Sequence, residues 1–178
     1  VGAVIQMAGV LMNGERSAAF TGIGLEPERQ RRMGIEVKLR GGDFLSDTSP
    51  EHGEDQVLIG IDLARALQTV PGDVIVAMIG TPTGFLNAID LTVVGLFTTG
   101  LQELDSSMAQ VHLSTAQWLL GTEEVSELLV GLEDGAATQE TSMLLNEYLN
   151  QNEELFVINS WENRAPFYGQ VRGLYIGI

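Results

Sequence analysis

Apolar positions along the chain fall into two patterns. One is a series of short runs rich in Val, Ile and Leu: "VIQMAGVLM" at 4–12, "QVLIG" at 56–60, "DVIVAMIG" at 73–80, "AIDLTVVGLFTTG" at 88–100, "MAQVHL" at 108–113, "VSELLVGLE" at 125–133 and "ELFVIN" at 154–159. Runs of this kind, bounded by Gly, Pro, Asn and Asp, predict strands. Asn13-Gly14 tolerates positive φ and predicts a hairpin turn, with Ser17 to Leu25 as the return strand. The turn-rich "TPTGFLN" at 81–87 joins the next two strands in the same way. Residues 41–55 read as loop.

The second pattern has helical spacing. "LEPERQRRMG" at 25–34 predicts a short helix, with Pro27 in its first turn. Glu26 and Glu28 lie at its positive end, and Arg29, Arg31 and Arg32 at its negative end, so the arginines read as dipole and solvent partners. "IDLARALQ" at 61–68 puts Leu63, Ala64 and Leu67 on one face, and Pro71-Gly72 stops it. Ser114 opens an S-x-x-Q box with Gln117, which predicts a capped helix through Trp118, Leu119 and Leu120 that ends at Gly121 in a left-handed conformation. Asp134 is expected to cap a helix over 136–150 with an apolar stripe of Met143, Leu144, Tyr148 and Leu149. Residues 161–178 are predicted to begin as helix, with Pro166 early in it. No internal repeat is visible. The total, about eight strands and four or five short helices, is a mixed α+β chain whose elements are interspersed. Its cleanest unit is the β–α–β of 125–133, 136–150 and 154–159.

With 178 residues and 44% hydrophobic content, the chain can bury a core. Its charge narrows the partners. The net charge is −15, and seven of the nine Lys and Arg fall at or before Arg65. From Ala66 to Asn163 there are fourteen acids and no Lys or Arg. Phosphate binding needs clustered cations, so a nucleic-acid partner is excluded, and an anionic membrane surface would repel that stretch. The acid reads as a solubilising surface or as a docking face for a basic partner. The absence of Cys excludes disulfides and thiolate metal sites. No apolar run is long enough to span a bilayer, and no signal peptide opens the chain. Both ends are apolar and lack caps, "VGAVIQMAGVLM" at the start and "GQVRGLYIGI" at the finish. They carry the expectation of a piece excised from a longer protein, cut next to a membrane helix.

The search for chemistry assigns no catalytic, cofactor-binding or metal-binding residue. His52 and His112 lie sixty positions apart, one in a polar loop and one in a strand, with no zinc spacing; His112 reads as a half-buried strand residue. "GIGLEP" at 22–27 lacks the third Gly of a dinucleotide loop. Nucleophile-elbow, phosphate-loop and calcium-loop motifs are absent. Ser114 reads as a helix cap. Asp105, in the turn "LQELDSSM", reads as a local turn acceptor of a following amide, and Glu103 with Asp105 as an alternative surface contact.

The ordered series "DQVLIGIDLARAL", "PGDVIVAMIG", "LTVVGLFTTGLQELDSSMAQVHLSTAQWLLG" and "VSELLVGLEDG" resembles the extracytoplasmic domain of FtsX-like ABC-transporter permeases. This is the MacB-like periplasmic core domain, found also in the lipoprotein-releasing LolC and LolE subunits. The family's strand and "LA..L" helix match Val57–Leu67, its "GD.V.V" strand Gly72–Val76, its "F.VVGIF.TG..ELD" strand and turn Leu91–Asp105, and its "V.V.L..AQ.LLG" strand and helix Val111–Gly121. Its "G..P" and "L..G..F" elements match Gly24–Pro27 and Leu39–Phe44.

The resemblance implies two lobes: a porter-like β–α–β lobe from 1–24 plus 123–178, and an inserted, mostly-β, sabre-like lobe from 25–122. It implies a non-catalytic domain on the extracytoplasmic, periplasmic side of the inner membrane. A cytoplasmic ATPase subunit would act on it through membrane helices, with a second permease subunit and a periplasmic adaptor or carrier as further partners, and it would need no cofactor. The family's lipoprotein-releasing members carry an extended hook where this chain has only "GTPTGFLNA" at 80–88. Two other readings remain open at this level: a soluble acidic hydrolase that uses a carboxylate pair in a deep pocket, and an unrelated interaction module.

Overall fold

The computed structural model describes residues 1–34, 37–49, 51, 54–132, 137–151 and 157–160. Two compact units result, Val1–Gly131 and Leu132–Ile178. The first contains β1 (Gly2–Asn13), β2 (Arg16–Leu25), α1 (Pro27–Arg32), β3 (Lys38–Gly42), β4 (Gln56–Gly60), α2 (Ile61–Leu67), β5 (Val74–Gly80), β6 (Leu86–Thr98), α3 (Gln102–Asp105), β7 (Met108–His112), α4 (Leu113–Leu120) and β8 (Glu127–Leu129). In the second, α5 spans Thr138–Gln151.

The strands close on themselves. The sheet order is β2-β7-β4-β6-β5-β1-β8, and β1 also pairs with β2. Six strands therefore form a ring, β1–β2–β7–β4–β6–β5 and back to β1, while β3 extends from β6 and β8 from β1. Closure gives each of those six a neighbour on both sides, which limits the template for edge-to-edge aggregation. Period-2 alternation sorts the side chains. Val57 and Ile59 face inward with Leu11, Ile75, Ala77 and Val111, all 0% exposed. Leu58, between them, faces outward and joins Val4, Leu25, Leu45 and Phe97 in a second cluster. A helix follows each of two ring strands: α2 adds Leu63, Ala64 and Leu67 to the inner cluster, and α4 adds Ala116 and Leu119.

The ring is built twice over. The β1–β2 hairpin corresponds to the β5–β6 hairpin, and β4–α2 corresponds to β7–α4. The pairings repeat accordingly: Gly9 faces Phe20 as Ile75 faces Leu91, and Gly22 faces Ala109 as Val93 faces Val57. Leu11–Ala77 and Leu58–Gln110 are each their own image, so a pseudo-two-fold axis passes through both. The helix ends match as well. Asn13 donates from Nδ2 to the Leu67 carbonyl at 3.1 Å, and Asn87 donates to the Leu119 carbonyl at 2.9 Å. Both helices stop in a left-handed residue, Gln68 (φ 50°) after α2 and Gly121 (φ 66°) after α4.

Several expectations are corrected. An internal repeat exists, although the sequence shows none. Both strands from residues 1–24 are staves of the same ring as β4 to β7, so a boundary at residues 24/25 cuts through hydrogen-bonded sheet. The stretch 41–55 is not all loop, because its first two residues end β3, and α3 forms within the expected turn. Of the β–α–β unit, the first strand shortens to β8, which pairs antiparallel with β1, and the helix is α5. Residues 154–156 of the expected third strand lie outside the described residues, as do Asp134 and 161–178, and 157–159 have no regular structure. Ser114 is not the cap of α4: the helix starts at Leu113, and extended His112 (φ −63°, ψ 148°) occupies the cap position without a side-chain cap bond.

Candidate functional site

The turn after β6 shows how the chain uses its motif residues. The Asp105 carboxylate, 5% exposed, accepts the Thr98 hydroxyl on one oxygen. On the other it accepts the Thr99 amide at 2.7 Å and the Thr99 hydroxyl at 2.8 Å. These donors, the Thr98 hydroxyl first, hold the carboxyl below the usual 3.8 against the opposing effect of burial. The α3 backbone at Asp105 packs so close to β4 that a Cβ on Gly60 would lie 2.3 Å from the Asp105 carbonyl oxygen. Asp105 therefore ties the end of β6 to α3, and its donors precede it in the chain, whereas its turn context predicts a following amide. A general acid would need the opposite shift, a raised pKa.

His112, 2% exposed, is more buried than its sequence context predicts. Its Nε2 lies 2.9 Å from the Ser46 carbonyl, and its Nδ1 is buried without a hydrogen-bond partner. Ser46 belongs to a strap, residues 43–49, that runs on from β3. Asp43 N donates to the Val94 carbonyl at 2.9 Å, and Ser46 N donates to Gln56 Oε1 at 3.0 Å. The Ser49 and Ser114 hydroxyls are hydrogen-bonded, and Arg31 of α1 pairs with Asp47. The other two arginines of α1 pair locally, Arg29 with Glu26 and Arg32 with Glu28. A pocket at this side is lined by Leu25, Gln30, Arg31, Val37, Phe44 and Leu58 among others and by no carboxylate. His52 lies outside the described residues. Among the described residues, no group of three or more His, Asp or Glu could hold a metal ion.

The surface differs at the β5–β6 hairpin. Its tip, residues 81–85, is tightly bonded within itself. Thr81 N donates to the Phe85 carbonyl at 2.7 Å, Gly84 N to the Thr81 carbonyl at 3.0 Å, and Phe85 N to Thr81 Oγ1 at 3.0 Å. The Asn87 bond to α4 anchors its base. Yet Phe85 is 72% and Leu86 73% exposed. Burying one such side chain yields about 1.5–3 kcal/mol, and a pre-ordered turn loses little entropy on binding. The tip can thus anchor a protein contact. Its structural twin, the β1–β2 tip, carries polar Asn13, Gly14, Glu15 and Arg16 at the same place. "TPTGFLN" predicts the turn correctly, and its apolar Phe85-Leu86 pair is the signal for an apolar tip that the turn reading passes over.

Comparison with known proteins follows the same lines. Residues 1–148 match the family described as MacB-like periplasmic core domain. The chain is similar to the lipoprotein-releasing system transmembrane protein LolC of Neisseria meningitidis serogroup B, 33% identical over 119 residues, which cover 62% of this chain and 28% of that protein. LolC of Xylella fastidiosa (strain Temecula1) is 28% identical over 130 residues, covering 70% of this chain and 31% of that protein. The chain thus spans about a third of these relatives' length. Its fold is similar to the extracellular domain of the noncanonic ABC-type transporter YknZ from Gram-positive bacteria, with TM-score 0.61 and 17% identity over 84% of this chain and 75% of that one. It is also similar to the periplasmic region of MacB from Actinobacillus actinomycetemcomitans, with TM-score 0.60 and 14% identity over 99% of this chain and 75% of that one.

Proposed function

Since the chain belongs to the MacB-like periplasmic core domain family, a periplasmic part of ABC-transporter permeases, we propose that it is a non-catalytic docking and coupling element. In this proposal a cytoplasmic ATPase moves the permease through its membrane helices. The domain carries that motion to an extracytoplasmic partner, an adaptor or a carrier, in export or lipoprotein release. A second permease subunit completes the transporter. Residues 1–131 supply the sabre-like body, and the porter-like lobe draws on residues beyond Gly131, the boundary between the two compact units.

The observation that carries the proposal is the β5–β6 tip, where a closed ring holds Phe85 and Leu86 in water on an internally hydrogen-bonded turn. A closed ring has few soft joints, so a displacement applied to it reaches the tip with little loss. Asp105, His112 and Ser114, the residues with chemical potential, are taken up in holding the fold. The LolC similarity favours a lipoprotein-related cargo, although the five residues between β5 and β6 make a tip rather than an extended hook.

The test is the double variant Phe85→Asp/Leu86→Asp in the full-length permease, reconstituted with its ATPase. ATP hydrolysis without partner should stay at the parent level. Partner-stimulated hydrolysis, or transport, should fall by about tenfold or more, since two apolar anchors are lost. Full stimulation in the double variant would refute docking through this tip.

A further inference from the structure

We propose that His112 is a proton-operated latch on the strap 43–49: neutral, it holds the strap over the outer apolar face of the ring; protonated, it releases it. The inference is independent of the docking proposal.

The geometry has three parts. First, the strap has one apolar anchor, Leu45 (3% exposed), which sits in the outer cluster with Leu25, Leu58 and Phe97. Its other attachments are polar: Asp43 to Val94, Ser46 to Gln56 and to His112, Asp47 to Arg31 and Ser49 to Ser114. Second, the ring of His112 sits at the junction of β7 and α4, directly under Ser46. In the neutral tautomer with the proton on Nε2, the ring donates to the Ser46 carbonyl and Nδ1 is an unprotonated acceptor. Third, Nδ1 is sealed off without a partner. A second proton has to go there, where it becomes a buried donor with nothing to bond. A buried unsatisfied donor is costly, and opening the strap, which covers the ring at Nε2, lets water reach the imidazole.

The charged groups around the ring do not change this outcome. The strap carries Asp43 and Asp47, the latter paired with Arg31. Asp55, ahead of β4, lies close enough to favour the charged ring, and its carboxylate already accepts the Thr115 hydroxyl at 2.6 Å. Beyond Leu25, the β2 residue opposite His112, comes Glu26, which is paired with Arg29. β4 and α4 contain no titratable side chain, and β7 contains only His112 itself. Burial outweighs the Ser46 carbonyl and Asp55 and holds the imidazole below its ordinary 6.5. For a base so depressed, the stabilisation is complete above 6.5 and is lost as pH falls through the folded-state value.

Hydrogen exchange on this chain between pH 7.5 and 5, corrected for intrinsic rates, tests the latch. Protection of the Ser46 and Asp43 amides should drop by about tenfold or more on acidification, with the ring strands unchanged. His112→Gln, which keeps a donor but does not titrate, should flatten that dependence. An NMR titration of the parent chain covers the case in which the variant does not fold. The His112 ring should titrate below the ordinary histidine range, and the Ser46–Ser49 amides should shift with the same midpoint. An ordinary midpoint without coupled amides overturns the proposal. So does a pH dependence that survives in His112→Gln or disappears in Asp47→Asn.

Discussion

Phe97→Ala should lower the unfolding free energy of this chain by about 3–5 kcal/mol, the usual cost of removing a fully buried phenylalanine. Phe97 is 0% exposed and belongs to the outer cluster with Val4, Leu25, Leu45 and Leu58. Its neighbours give the loss a direction. Phe97 pairs with Leu39 of β3 across one edge of β6 and with Gly60 of β4 across the other. β3 and the strap that follows it each place a side chain in this cluster, Leu39 and Leu45, whereas the inner cluster has its own closed set of contacts. Hydrogen exchange should therefore loosen 38–49 before the ring strands, and chemical denaturation should show the full loss. A cost below about 1 kcal/mol would mean that the outer cluster is not a structural core.

Gly24→Ala should also be damaging, and Ala116→Gly should rescue it. A Cβ on Gly24 would lie 2.3 Å from the Ala116 Cβ and 2.8 Å from Ile5 Cγ2. The single methyl forces α4 away from β2, and such overpacking costs about 1–3 kcal/mol. In the double variant the methyl changes sides and the Ala116 clash is removed, leaving the Ile5 contact and the helix cost of a glycine, about 1 kcal/mol. Denaturation midpoints of the four proteins in this cycle give the coupling. Simple additivity, with no recovery in the double variant, would show that the helix does not approach β2 this closely.

The ring strands were legible because their burial follows the alternation that the sequence displays. In "VIVAMIG" the residues Ile75, Ala77 and Ile79 turn inward, and the simple rule finds them. β3 was not legible: "KLRGG" has two charges, two glycines and a bulge between Leu39 and Gly41. The four residues of α3 are too few to carry a helical period. The duplication escaped notice because a fold repeat needs only matching inward positions. Across the twin helices only Ala64 and Ala116, and Leu67 and Leu119, are identical at equivalent places. The box at Ser114 failed for a tertiary reason. His112 pairs with Leu25 and carries the strand to the very start of α4, while the Ser114 hydroxyl bonds to Ser49 instead of capping. For the docking tip, turn propensity located residues 81–87, but which side chains the turn would leave in water depended on the hairpin's closure.

The role proposed for the family domain unites these findings: a closed, twice-built ring, polar residues committed to holding it, and one ordered apolar tip. The most direct test is a photo-activated crosslinker placed at Leu86 in the full-length permease, assembled with its ATPase in cells and driven by ATP. A second probe at Val70, an exposed apolar position outside the hairpin (59% exposed), serves as the control. The expected result is a defined adduct between position 86 and an extracytoplasmic protein, with none from position 70. No adduct from position 86 during turnover, or an adduct from position 70 alone, would contradict docking through the β5–β6 tip.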